Sequence, residues 1–489
     1  ADLLKITDGT VVSLLLNGTD FGSYRVTGDA VDNVDFVAFP ATELETDGGP
    51  VGTETRLSIE ITAPLVLEWP NQTDDAGWCS FINWTNVGGD HYLLVCDEAN
   101  GYYFFDGTDW TQGSFTGSPK PNPEDLVHVT EWNGSVWLTE RNTARAWVLD
   151  PLALTGDVTP FDVGSRFIKG GHLVQCGTWT LDAGDGMDDK LVMISAAGDI
   201  LVWQGQFFGG NMFMVGRWQV GTVPEGRRVL SNHGGDILTI TANGIVRLSD
   251  VTQGLIVQNR DKYVTENISY FVRREMAKSV DEYGWAIDKT TRDGILIISV
   301  PRIALEETKP PLQFVMNLTT GAWSIFRGLD MVCMNEHDSQ FYFGGSDGKV
   351  WWFTGTVDNA KLDGSSSDGI NFSFLTHYTA FGSPSNWKQV QMVRPWWIGD
   401  ADPAYLTKIL YDFSLAEIEQ SPIFQDLGLA LWDSAIWDVS EWTVAAQNYW
   451  ETLGAKNMGR HLALAVKGTT TVDTTYLGCD LMVTRGGPL

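Results

Sequence analysis

The residues of this 489-residue chain that could do chemistry are seven histidines, five cysteines and one dense acidic loop. His91, His128, His172, His233, His337, His377 and His461 stand singly. No HExxH pair offers two imidazoles to zinc, and no GxSxG elbow presents a serine to a carbonyl. A Walker loop and a post-strand GxGxxG are missing too, so no motif cradles a nucleotide phosphate. These histidines are expected mostly at turns or strand edges. Cys79, Cys96, Cys176, Cys333 and Cys479 are odd in number, widely spaced and without a CxxC. Most lie in strand-like runs such as LLVCDE and LVQCGTW, where cysteine packs as a small hydrophobe, which predicts reduced, buried thiols and no zinc. The loop Asp182-Ala-Gly-Asp185-Gly-Met-Asp188-Asp189 has oxygen donors on a Gly-bent backbone and so suits calcium. It lacks the EF-hand order and the closing Glu, and a polar hairpin turn is the preferred reading. Two turns, Phe105 to Trp110 and Leu318 to Trp323, approach the sialidase S-x-D-x-G-x-x-W pattern without its spacing. The expectation is a protein with no catalytic, cofactor-binding or metal-binding residues: not an enzyme.

The elements that carry these residues are strands. Leu312 to Gly355 (LQFVMNLTTGAWSIFRGLDMVCMNEHDSQFYFGGSDGKVWWFTG) is a run of short aromatic and β-branched segments, broken by Gly, Asp, Asn, Ser and Thr. Left-handed backbone costs little at those break residues, so the pattern predicts hairpins within antiparallel sheet. Similar hairpins recur at Gly77–Trp110, Asp125–Asp150, Gly170–Gly205 with MFMVGRWQV after it, Arg227–Ser249, and Gly284–Pro301 with the QFVMNLTTGAWSIFRG hairpin. The return every 45 residues or so is the spacing of four-stranded propeller blades. About six units fit between 70 and 360, and Asp261 to Asp281 reads as one inserted helix. A β-sandwich is the weaker alternative, because its strands would not return with this regular strand-Gly-Gly-strand-Asn-Gly-strand order.

The fold class expected is therefore all-β, a roughly six-bladed β-propeller plus a second, sandwich-like β platform. The domains are placed at 1–68 (N-terminal strands joining the platform), 69–360 (propeller) and 361–489 (C-terminal platform). Within the platform, Phe372 to Ala380, Lys388 to Pro395, Leu406 to Phe413 and His461 to Val466 read as strands. Trp432, Trp437 and Trp442, five apart, fit neither a strand face nor a helix face, and predict an irregular aromatic segment that either plugs its own core, the preferred reading, or packs on a neighbouring subunit. The N-terminus has no basic, apolar leader and no apolar run is long enough to span a bilayer, so a soluble protein made in a reducing compartment is expected. A net charge of −30 opposes tight binding to nucleic-acid phosphates, though not the passage of nucleic acid alongside.

Several stretches, in order, resemble one family: GTWTLDAGDGMDDKLVMISAAGDILVWQG, GRWQVGTVPEGRRVLSNHGGDILTITANGIVRLSD, QFVMNLTTGAWSIFRG, FYFGGSDGKVWWF, WDSAIWDVSEW and the terminal Arg485-Gly-Gly-Pro-Leu489. The series is similar to the tail nozzle, or tail tubular B-like, proteins of short-tailed bacteriophages. It covers residues from about 170 to the end well and the first 70 only loosely. The resemblance implies a structural virion protein, made in the bacterial cytoplasm, with a six-bladed propeller and a platform domain. It implies a homo-hexameric ring that docks on the tail adaptor near tail fibres or spikes. Phage DNA would pass along the ring axis without sequence-specific binding. The family has no catalytic residues to carry over. The alternative reading is a host-glycan-binding or glycan-cleaving propeller on a phage tail.

Overall fold

The computed structural model describes residues 78–180, 189–255, 262–302, 309–337, 339–346, 349–359, 368–399, 403–416, 418 and 458–487 in full, and by backbone alone residue 488 and strands within 11–62 and 447–454. The acidic loop up to Asp188 and the Trp432–Trp442 segment lie outside the described residues. The chain divides into two compact units, Ala1–Phe353 and Thr354–Leu489.

In the first unit, Val11–Leu16 pairs with Thr19–Val26 on one side and Leu57–Thr62 on the other, and Ala41–Thr46 extends the sheet. Six antiparallel sheets then follow in sequence order. Blade 1 is built from Cys79–Thr85, His91–Asp97, Gly101–Phe105 and Trp110–Gln112. Blade 2 has Leu126–Trp132, Ser135–Glu140, Arg145–Leu149 and Gly156–Asp162, with Phe115–Thr116 added in parallel at its edge. Blade 3 has Leu173–Trp179, Lys190–Ser195, Asp199–Gln204 and Phe213–Gln219. Blade 4 has three strands, Leu230–His233, Asp236–Thr241 and Gly244–Arg247. Blade 5 has Ala286–Thr290, Ile295–Val300, Leu312–Asn317 and Trp323–Arg327. Blade 6 has Cys333–His337, Gln340–Gly344 and Val350–Phe353.

The first strand of each blade is the inner one, and consecutive inner strands are neighbours from blade 1 through to blade 6. Arg228 touches both the first and the last inner strand, donating to Met334 O at 2.6 Å with its guanidinium 5.1 Å from the centre of the Phe81 ring, so the ring closes as a six-bladed propeller. The run Leu312 to Gly355 is thus not one sheet. Its first two strands complete blade 5 and its last three form blade 6. Blades 4 and 6 depart from four strands. In blade 4 the next segment, Leu248–Thr252, lacks a run of β-branched residues and forms a short helix, burying Leu248 and Val251. The inserted helix is shorter than expected, Ser269–Ser279 after a 3-10 turn at Glu266–Ile268.

The two faces of a blade are covered by its neighbours on either side, which is why middle strands such as Ser135–Glu140 and Lys190–Ser195 are buried almost throughout, while an outer strand such as Phe213–Gln219 alternates. In Ser135–Glu140, Val136 and Leu138 pack toward blade 1 with Leu94, Tyr102 and Trp147, while Trp137 turns the other way, toward Met193 and Leu201 of blade 3. Trp137 meets Trp132, Phe161 and Phe207 edge-on at centroid distances of 5.7, 5.5 and 5.4 Å. Each fully buried side chain of this size contributes roughly 1.5–3 kcal/mol, so the hold between blades is mainly this interleaving. The hairpin Asn133-Gly134 has φ of 51° and 69°, the two left-handed residues that a tight two-residue turn needs.

The second unit is a β-sandwich. One sheet runs in the order Val357–Asp358, Asp368–Leu375, Leu462–Thr470, Ala404–Tyr411. The other is dominated by a ribbon of Asn386–Gly399 against Thr474–Pro488, whose register slips at three places. Trp397 is the centre of its core, with Phe372, Tyr405 and Tyr476 at 5.5, 5.3 and 5.1 Å. Lys388, 1% exposed, ends among three carbonyls: those of Ser383 (2.6 Å), Asn386 (3.0 Å) and Arg460 (2.8 Å). No helix among the described residues is long and apolar enough to cross a membrane.

Candidate functional site

One face of the propeller carries a charged cluster, drawn from the turns after the second strands of blades 1 and 2 and from the segments that lead into the inner strands of blades 4 and 5. Asp97, fully buried, accepts hydrogen bonds from the backbone N–H of Ala99 (2.8 Å) and of Asn100 and from Asn100 Nδ2 (2.8 Å). That fixes the turn which aims Glu98 at the axis. Glu98 Oε1 accepts from Arg227 Nε at 2.6 Å and from Tyr283 Oη at 2.7 Å. Its Oε2 pairs with Arg141 Nη1 at 3.0 Å. Arg227 Nη1 also donates to the carbonyls of Leu173 and Val174 at 3.4 and 3.1 Å. Glu98 belongs to blade 1, Arg141 to blade 2, and Arg227 and Tyr283 lead into blades 4 and 5, so one carboxylate ties across the ring. Burial works against a charge on Arg227, but Tyr283 and Glu98 outweigh it and hold its pKa above the ordinary value. Burial first, then Glu98, pushes the Tyr283 phenol well above its usual range. This is a saturated ion cluster, with its partners already used.

Beyond the cluster the axis widens into a cavity of about 590 Å³. Its wall includes His128, Gln175, Arg228 and Asp288, and it reaches the opposite face at Asn133 and Asn232, both exposed. Gln175 Oε1 accepts from the N–H groups of Val229 (2.8 Å) and Leu230 (3.1 Å), joining blades 3 and 4, and Ser80 Oγ accepts from Val129 N–H at 2.9 Å, joining blades 1 and 2. His128 is 3% exposed and its Nδ1 has no partner. Burial, with the charges of Arg227 and Arg228 beside it, lowers its pKa to about 3, so the ring is neutral. Arg228 Nη1 donates to Met334 O at 2.6 Å, and its guanidinium lies 5.1 Å from the centre of the Phe81 ring. Burial raises the pKa of Asp288 and of Glu131, with Arg228 pulling the first back and Asp189 adding to the second.

The other histidines are dispersed. His91, His337 and His377 are exposed. His172 is half-buried with Nε2 3.9 Å from Glu225, and His461 lies 3.9 Å from Asp412. His233 is half-buried at the end of its strand. His128 is the one that departs from the expected turn or edge placement. Thr85 Oγ1 is 3.0 Å from His91 Nδ1, but these residues face each other across an exposed hairpin, so the contact is ordinary strand pairing. All five cysteines are free thiols; Cys96 and Cys176 are buried, while Cys79, Cys333 and Cys479 are only half-buried. Burial pushes Cys176 and Cys79 up to about 12. Among the described residues no group of three His, Cys, Asp or Glu is placed to hold a metal ion.

Sequence reasoning missed both Glu98 and Arg228, because no local motif marks them. The one local signal was the Arg227-Arg228 pair, two adjacent basic residues close before a strand in a strongly acidic chain.

No protein-family model matches the chain, and no curated protein matches it in sequence. Similar solved structures include a Bacteroides uniformis protein named as a 6-phosphogluconolactonase, 12% identical, with 71% of this chain and 96% of that one covered and a TM-score of 0.33. A Bacteroides fragilis protein of the same name is 12% identical, with 72% and 95% covered and a TM-score of 0.32. Likeness at this level assigns neither a family nor an activity.

Proposed function

We propose that the chain is a structural virion protein, a tail nozzle that forms a hexameric ring with an axial channel for the phage genome and docks on a tail adaptor. The observation that carries this reading is the coincidence of two things in one chain. The ordered stretches from GTWTLDAGDG to the terminal Arg485-Gly-Gly-Pro-Leu489 resemble nozzle proteins, and the chain folds as six blades followed by a separate β-sandwich, the architecture which that resemblance implies. Two further points support it. The axis of the propeller itself is tied across by Glu98 and Arg227, so no duplex threads a single copy, and a conduit requires several copies around a common axis. Each copy brings a charge of −30, and a wall carrying part of that charge repels phosphates and lets DNA slide.

The test is the mass of the purified chain in solution, alone and with its virion partners, together with electron microscopy of the particles. Sixfold rings, free or seated on an adaptor, are expected. A stable monomer that never enters a tail and binds or cleaves a host polysaccharide would overturn the reading in favour of a glycan-directed propeller. Where rings form, a channel wall that is neutral or lined with Lys and Arg removes the charge argument.

A further inference from the structure

The axial cavity has properties that a ring-forming role does not require. Its volume of about 590 Å³ is in the range of sites for small organic molecules. Arg228 uses one N–H on Met334 O, and among the described residues no carboxylate lies within 4.0 Å of its guanidinium. Beside it His128, nearly fully buried, has an Nδ1 without a partner. A buried polar nitrogen left so calls for an explanation, and a bound water or ion is one. Arg227 does not supply the missing contact, since Glu98 already neutralises it. The cavity thus holds a half-buried guanidinium that makes no ion pair among the described residues, although the charge of Asp288 reaches it, next to an imidazole that can present Nδ1–H as a donor.

We propose that this cavity binds a small organic oxyanion, a carboxylate- or phosphate-bearing molecule whose acidic group sits between Arg228 and His128 Nδ1. A guanidinium fits two oxygens of such a group side by side, and the imidazole takes a third contact. The polar remainder of the ligand lies toward Asp288 on the inner strand of blade 5, a carboxyl able to receive hydroxyl or ammonium donors. The Glu98 cluster closes the far end, so entry is from the face of Asn133 and Asn232. Glu131 and Asp189 line the cavity with Lys289, so their negative charges oppose an incoming anion. Association is therefore unassisted by electrostatics and gains from added salt. This site is independent of whether the chain forms a nozzle.

The experiment is titration calorimetry of the full chain with citrate and, separately, with inorganic phosphate. The proteins compared are wild type, Arg228→Gln, His128→Gln and, as a control on an exposed blade turn, Arg292→Gln, each checked for folding by circular dichroism. One saturable site per chain is expected, weakened about tenfold or more by Arg228→Gln, as for loss of a charged hydrogen-bonding partner, and severalfold by His128→Gln, with the control unchanged. Preference for citrate or for phosphate tells carboxylate from phosphate ligands. No saturable binding of either anion at millimolar concentration overturns the proposal, as does equal binding by all four proteins. If Arg228→Gln does not fold, His128→Gln decides alone: unchanged affinity refutes the site.

Discussion

Glu98→Ala tests whether the cluster at the propeller axis is a cohesive element. The carboxylate serves three donors, Arg227 Nε at 2.6 Å, Tyr283 Oη at 2.7 Å and Arg141 Nη1 at 3.0 Å. Arg141 is about one-third exposed and recovers water when the carboxylate is gone, so its share of the loss is small. Arg227 is 5% exposed and keeps only the carbonyls of Leu173 and Val174. Removing one partner of a buried pair costs roughly 3–5 kcal/mol, because the remaining charge stays buried and unmatched. The Tyr283 hydroxyl loses a partner as well, worth about 1 kcal/mol. The expected destabilisation is about 4 kcal/mol, read from urea unfolding followed by tryptophan fluorescence, with the denaturant slope unchanged. Glu98→Gln keeps the shape and one acceptor and should lose about 2 kcal/mol. The double variant Glu98→Ala/Arg227→Met removes both charges and should be more stable than the sum of the single losses predicts. A Glu98→Ala protein within about 0.5 kcal/mol of wild type, the range of a plain surface substitution, would refute the assignment of a cohesive role to the cluster.

Three further outcomes follow from particular residues. His128 takes up a proton near pH 6.5 in the unfolded chain but only at about 3 when folded. The unfolded state therefore binds more protons between those values, and stability falls as pH falls below 6.5. Compared with His128→Gln, the wild type should lose about 1.4 kcal/mol more between pH 7.5 and 5.5, measured by chemical unfolding at each pH; equal losses would contradict a buried neutral ring. Gly101 has φ of +80°, and a Cβ there would stand 2.1 Å from Pro123 O, so Gly101→Ala should lower the propeller's melting temperature, with a cost of about 2 kcal/mol or more. A melting temperature like wild type would show that the turn between blades 1 and 2 relaxes freely. Lys388→Met leaves three carbonyls without their donor and should destabilise the C-terminal unit by about 2 kcal/mol, visible as weakened hydrogen-exchange protection in Leu462–Thr470.

The blades were readable because their evidence is local. Asn133-Gly134 between two apolar runs is a turn signal complete within a few residues, and the same kind of signal recurs at each blade. The Thr474–Pro488 strand was not expected, and its three register slips and glycines at 478, 486 and 487 explain why alternation fades along it. The helix was placed correctly but drawn too long, since Glu266–Ile268 continues its pattern in a tighter turn. The axial residues were hidden for a different reason. Glu98 and Tyr283 are 185 positions apart, and nothing in either neighbourhood refers to the other. Only closure of the ring makes them neighbours, and a sequence pattern with a period of two or of 45 residues carries no information about who meets at the centre.

The tie at the axis has a consequence for how such a chain can change. Propellers commonly grow or shrink by duplication or loss of whole blades, because each blade is a self-contained unit of sequence. Here Glu98 and Arg227 come from blades 1 and 4, which in a ring of six stand opposite one another. One blade more or fewer would swing Arg227 off that diameter and strand both charges. The cluster thus acts as a counting device, and the number six is held by chemistry at the hub as well as by packing between the blades.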